Sequence, residues 1–169
     1  MERIRTAADA AERRLLGSSL VAMAVLATGL VVTNPAQAAG SVMGAEKLRR
    51  LDIMLMVTGL RCRTTADNFT ADYGRFTSNQ LRELNQANDE LKADMARRYG
   101  AAGAQRALDR LSTTMANSYG QGHPWLSCSQ LKTVAQNLAT VRGRATLEEA
   151  ADQLLSSYSP QQFALATRR

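Results

Sequence analysis

The stretch AEKLRRLDIMLMVTGLR, from Ala45 to Arg61, decides the fold class of this chain. Its leucines and methionines recur at three- and four-residue steps, which is the spacing of one face of an α-helix. Apolar residues also occupy other faces of the same helix, and this predicts a helix that is buried on much of its circumference. We therefore expect the segment to lie at the centre of a helical bundle.

The helical spacing continues toward the C-terminus. Further helices are predicted over Phe69–Tyr99 with a kink or restart at Gln80, over Ala102–Ser118, from Ser127 to a point before Gly143, and from Thr146 to Ser159. Capping-box spacing marks possible starts at Thr77, Ser127 and Thr146, and Gly100 is a typical helix end. No alternating apolar and polar strand of useful length occurs. The chain is therefore predicted to be all-α, a single-domain bundle of four to five helices.

The N-terminal residues have the three parts of an export signal. Arg13 and Arg14 precede an apolar run over residues 15–32, and Ala36-Gln37-Ala38 matches an A-x-A cleavage site. The alternative is an uncleaved inner-membrane anchor over 15–32, because a spanning helix needs roughly 20 apolar residues. Cleavage is favoured, so we predict a signal peptide over residues 1–38, a helical domain over residues 39–169 and a periplasmic location.

The two cysteines, Cys62 and Cys128, both lie in the predicted mature domain. Exported chains usually pair their cysteines because the periplasm is oxidising. The alternative, a reactive or metal-binding thiol, fits less well because the spacing matches neither C-x-x-C nor a zinc motif. The sequence therefore predicts one structural disulfide.

The chain is basic, with a formal net charge of +6 at pH 7. No block of five or more like charges occurs, so the charges are typical of solvated helix faces and do not indicate a nucleic-acid partner. A basic surface favours an anionic envelope component. The predicted partners are therefore such a component or another protein, with membrane contact only through the signal segment if it is uncleaved.

One irregular segment, residues 119–128, holds the only histidine and the only tryptophan. As a ligand-binding loop it would use two glycines for close approach, an aromatic stacking face and a group that titrates near neutral pH. The candidate ligand-binding residues are Tyr119, Gly120, Gly122, His123 and Trp125. The alternative is a structural turn, which explains the same residue types and is favoured.

Catalytic and metal-binding patterns are sparse elsewhere. A single histidine gives no paired metal motif, no serine lies in a nucleophile elbow, and no glycine-rich phosphate loop follows a strand, so no catalytic residue, metal site or cofactor is predicted. The enzymatic alternative requires a pocket that joins His123 to a carboxylate such as Asp67 or Asp72. Asp89, Glu90 and Asp94 are predicted to form a solvated, ion-paired helix face.

Two stretches, Leu51–Arg63 and Tyr119–Cys128, resemble a group of short exported proteins from Gram-negative bacteria. The resemblance covers about Leu48 to Leu155 and implies export, but it brings no established function. Some members of the group carry the name S-adenosylhomocysteine hydrolase. Those enzymes hold a nicotinamide cofactor in a Rossmann domain, and this chain has neither the length nor the fingerprint for one.

These observations predict an exported, periplasmic, non-enzymatic helical protein that binds an envelope component or a protein partner. The alternative is a small hydrolase or transferase that uses the His123 loop. Four methionines have two alternative roles, an adaptable apolar binding surface or the commoner one of filling the core: Met54, Met56, Met95 and Met115.

Overall fold

Five α-helices account for most of the residues that the computed structural model describes, 35–156, with side chains described from residue 40. They are α1 (Pro35–Cys62), α2 (Thr70–Asn79), α3 (Leu81–Ser118), α4 (Cys128–Leu138) and α5 (Arg144–Leu155). No strand occurs within residues 35–156, so the predicted all-α bundle is confirmed. The apolar run 15–32, predicted as part of a signal or as an anchor, lies outside the described residues. Within the part that is described, no helix has the length and hydropathy needed to cross a membrane.

The first helix is the centre of the bundle, as its apolar circumference predicts. It contacts each of the other four helices, and its buried side chains include Leu48, Leu51, Met54 and Leu55. The helix begins at Pro35, ten residues before the predicted start, because proline is tolerated in the first turn and small helix-forming residues follow. It therefore runs through the predicted cleavage site at Ala38, and cleavage there would remove its first turn.

The predicted break at Gln80 is confirmed, but its predicted cause is wrong. The start of α3 at Gln80 has no side-chain cap, and the Thr77 hydroxyl donates back to the carbonyl of Gly74 instead. The side chain of Gln80 is buried, and its carboxamide Nε2 donates to the carbonyl oxygens of Leu138 at 2.9 Å and Val141 at 3.0 Å. The polar residue in the apolar stripe thus hydrogen-bonds one carbonyl at the end of α4 and one in the loop that follows it.

Glycines set two other boundaries. Gly100 has φ 70° and ψ 163°, so the long third helix is interrupted at the predicted glycine. α5 follows Gly143, whose φ is 83°, and begins at Arg144. The N-cap is Gly143, so the predicted cap at Thr146 is wrong by three residues, and the helix ends at Leu155 before reaching Ser159.

The α4 start is predicted correctly and carries a complete capping box. The hydroxyl of Ser127 accepts from the backbone N–H of Gln130, and the Gln130 side chain accepts from the backbone N–H of Ser127. The next residue, Cys128, forms the predicted disulfide with Cys62, with Cα atoms 5.8 Å apart. The bridge therefore joins the end of α1 to the beginning of α4.

Burial decides between the two roles of the methionines and corrects the prediction of a solvated acidic face. Met54 and Met115 are buried, whereas Met56 is 38% exposed, so these methionines do not form one apolar binding surface. Asp94 forms the predicted ion pair, with its Oδ1 2.9 Å from Arg97 Nη2, but Asp94 is only 6% exposed. The acidic face is therefore ion-paired without being fully solvated.

The first and last helices approach closely at a glycine. The carboxylate of Glu148 in α5 occupies the space that a Cβ on Gly44 of α1 would need. Nearby, Lys47 Nζ lies 2.7 Å from Asp152 Oδ1. These contacts hold α5 along α1.

Candidate functional site

The predicted ligand-binding segment, residues 119–128, forms the loop between α3 and α4 up to Ser127, and its histidine contacts the end of α5. His123 Nε2 lies 2.9 Å from the carbonyl oxygen of Leu154, and because a carbonyl only accepts, this nitrogen carries the proton. Nδ1 then accepts from the backbone N–H groups of Leu126 at 3.1 Å and Trp125 at 3.4 Å. Both ring nitrogens are therefore engaged within the fold. Burial lowers the pKa of His123, and the bond to Leu154 opposes that shift.

The other aromatic residues of the loop pack around the same ring. Trp125 meets His123 edge to face with ring centroids 4.7 Å apart, and Tyr119 lies parallel to it at 6.3 Å. The Trp125 indole N–H donates to the carbonyl oxygen of Ser156 at 3.3 Å. Tyr119 is buried in the core cluster. Three of the candidate residues thus connect the loop to the body of the bundle.

The two glycines of the loop face an arginine. Gly122 has φ 104°, and a Cβ there would lie 3.4 Å from Arg61 Nε. The Arg61 guanidinium donates to the carbonyl of Gly120 at 3.4 Å. The positive φ of Gly122 is the feature that favours glycine in this loop, and the group that contacts the loop backbone here is Arg61 of the chain itself.

A small cavity of about 170 Å³ lies beside the loop and the disulfide. His123, Thr58 and Arg61 are among its lining residues, but no carboxylate is. Asp72 lies elsewhere, in contact with Arg75 and hydrogen-bonded by Gln136. The cavity beside His123 is therefore not lined by Asp67 or Asp72.

A larger opening of about 460 Å³, which we call the Asp52 cleft, lies between α1, α2 and α3. Asp52 and Arg49, three residues apart on one face of α1, form one wall. On the second wall, the Tyr73 hydroxyl of α2 donates a 2.9 Å hydrogen bond to Asp52 Oδ1. Arg49 is held by Ser112 of α3, whose hydroxyl oxygen lies 3.2 Å from Nη2.

Burial governs the electrostatics of the Asp52 cleft. Burial raises the pKa of Asp52, and the Tyr73 hydrogen bond and the charge of Arg49 offset part of that rise. The pKa of Tyr73 is also raised, first by burial and then by the neighbouring Asp52 carboxylate. Tyr73 therefore remains a neutral hydroxyl donor at physiological pH.

The third wall is one face of α3. Leu81, Leu84, Asn85 and Asn88 recur at three- and four-residue steps and line the cleft together. The sequence reasoning missed this site because the asparagines look like ordinary solvent-facing residues. A usable signal was Asp52, which stands among apolar residues in the stretch that decides the fold.

Comparison with protein-family models, with curated proteins and with solved structures finds no match for this chain. Within the described residues, no group of three histidine, cysteine, aspartate or glutamate side chains could hold a metal ion. The interpretation of the chain therefore depends on its own geometry. The Asp52 cleft is an open site within the described residues, lined by polar side chains from three helices.

Proposed function

We propose that this chain is an exported, periplasmic, non-enzymatic helical protein that binds an envelope component or a protein partner. The observation that favours this proposal over a hydrolase or transferase using the His123 loop is the engagement of both His123 ring nitrogens by backbone groups. A histidine held this way supports the architecture of the loop and has no free nitrogen for proton transfer to a substrate. The Cys62–Cys128 disulfide supports export, because such bonds persist in oxidising compartments.

Export is tested by intact-mass measurement of the protein from a periplasmic fraction, with and without reductant. The expected mass is that of a chain that begins at Ala39, and reduction of the disulfide should raise it by the mass of two hydrogens. A mass that retains Met1 to Ala38, or that already corresponds to two free thiols, contradicts export followed by disulfide formation.

Binding is tested with the mature protein purified from the same fraction. It is sedimented with insoluble cell-wall polymer and with vesicles of anionic lipid, and crosslinked in intact cells to capture a protein partner. We expect one of these arms to retain the protein, and His123→Gln to bind equally well because its amide preserves a donor toward Leu154. Failure of all three arms, or loss of binding in a folded His123→Gln variant, argues against the proposal.

A further inference from the structure

The Asp52 cleft contains several polar groups that the fold leaves unused. Asp52 Oδ1 accepts from Tyr73, and no hydrogen bond from a described residue reaches Oδ2. The side chains of Asn85 and Asn88 likewise have no hydrogen-bond partner among the described residues, although both line the cleft. A carboxylate oxygen and two carboxamides together offer donors and acceptors to one bound molecule.

The charges of the cleft do not favour an ion. Asp52 and Arg49 contribute one negative and one positive charge to the same wall, and the remaining lining groups are neutral. The cleft also presents an apolar side chain, Leu81, which is 57% exposed. Neutral hydrogen-bonding groups beside an exposed apolar side chain suit a molecule that carries hydroxyl groups around a carbon framework.

We propose that the Asp52 cleft binds a neutral, hydroxyl-rich ligand of the size of a single sugar unit. Its volume of about 460 Å³ lies within the range of roughly 300–1,000 Å³ that is typical of small-molecule sites. Asn85 and Asn88 bind the hydroxyls, Asp52 accepts a further hydrogen bond, and Leu81 contacts the carbon face of the ring. The inference rests on the proposed binding function and assigns it a site and a ligand class.

The test is titration of the mature protein with glucose and with N-acetylglucosamine, followed by the amide NMR signals of α1 and α3. Putrescine and phosphate serve as cationic and anionic probes. We expect saturable shifts with a sugar, and a loss of affinity of about tenfold or more in the double variant Asn85→Ala, Asn88→Ala. Asn137→Ala, an exposed asparagine on α4 outside the cleft, is the matched control and should bind as the wild type does.

The double variant is expected to fold, because alanine is the better helix former at both positions. Absence of sugar binding, equal affinity in the double variant, or tighter binding of putrescine that Asp52→Asn abolishes would overturn the inference. Sedimentation with cell-wall polymer separates a bound glycan strand from a free sugar. If the polymer retains wild type and double variant equally, the site assignment fails while the proposed binding function stands. If no sugar binds in the titration and neither sedimentation nor crosslinking retains the protein, the site assignment and the proposed binding function both fail.

Discussion

Arg144 in α5 and Glu90 in α3 meet through two parallel contacts, Nη1 to Oε1 and Nη2 to Oε2, each of 2.8 Å. Their side chains are 19% and 23% exposed, so the pair is largely removed from water. Glu90 also accepts from the Ser41 hydroxyl at 2.7 Å, and Arg144 also pairs with Glu148. One charged cluster therefore connects α1, α3 and α5.

Replacing Glu90 with glutamine should lower the free energy of unfolding by about 1–2 kcal/mol at neutral pH, because Arg144 loses a charged bidentate partner. Partial burial opposes ionisation of Glu90, but the hydrogen bonds from Arg144, Ser41 and Gln86 outweigh it and hold the pKa below 4.5. The stabilisation is therefore present above the unfolded-state pKa and is lost as the pH falls through the folded-state pKa. Urea unfolding at neutral and acidic pH measures both effects.

The control for this cluster is Glu149→Gln, at an exposed glutamate of α5 that accepts only from Gln153 within the described residues. Its effect should stay below about 0.5 kcal/mol. Equal losses in the two variants would show that the bidentate geometry contributes nothing specific.

Lowering the pH should weaken the fold through His123. Since burial holds the folded-state pKa of this residue below 6.5, the unfolded chain binds the proton more readily than the folded chain does. The contribution of His123 to the free energy of unfolding is therefore fully present above about pH 6.5, and it declines as the pH falls from there to the folded-state pKa. NMR titration of the imidazole gives the pKa, and unfolding of His123→Gln should show a weaker pH dependence over the same interval. An imidazole pKa above 6.5 is incompatible with this account.

Reducing the disulfide should remove about 4 kcal/mol of stability. Cys62 and Cys128 are 66 residues apart, and the chain-entropy model gives a loop of that length a stabilisation of roughly this size. The measurement is urea unfolding with and without reductant, and a Cys62→Ser, Cys128→Ser double variant should not respond to reductant. A shift of less than about 1 kcal/mol on reduction would mean that the bridge constrains the unfolded chain very little.

Replacing either of two glycines with alanine should change the stability of the fold, in opposite directions at the two positions. A Cβ on Gly74, within α2, meets no atom within 4 Å, so Gly74→Ala should stabilise the fold by about 0.5–1 kcal/mol. Gly100 also has open space around it but its φ is 70°, so Gly100→Ala should cost about 1–2 kcal/mol. Thermal unfolding of the two variants provides the comparison, and a stabilised Gly100→Ala would indicate a continuous helix there.

Local patterns predicted the helices well, because helical spacing and glycine breaks act within a few residues. The central position of α1, the interruption at Gly100 and the capping box at Ser127 were all accessible from the sequence. The role of Gln80 was not, since its partners Leu138 and Val141 lie about 60 residues away in sequence. A polar residue in an apolar stripe indicates an unusual environment without identifying its partner.

The candidate sites were less accessible for the same reason. The loop at His123 stood out by residue type, but the hydrogen bond from its imidazole to Leu154 is a tertiary contact that residue type does not indicate. The Asp52 cleft combines faces of three helices, and the hydrogen bond from Tyr73 to Asp52 spans 21 residues. Periodicity places residues on a helix face but does not state which faces meet.

The order of synthesis gives the contact between α1 and α5 a consequence for biogenesis. α1 is made first among the described helices, and α5, whose Glu148 lies against Gly44, is made last. The core around α1 therefore cannot close while the chain is still being produced. During that interval the apolar stretch from Ala45 to Arg61 lacks its last partner, and its apolar side chains are exposed to association with other chains.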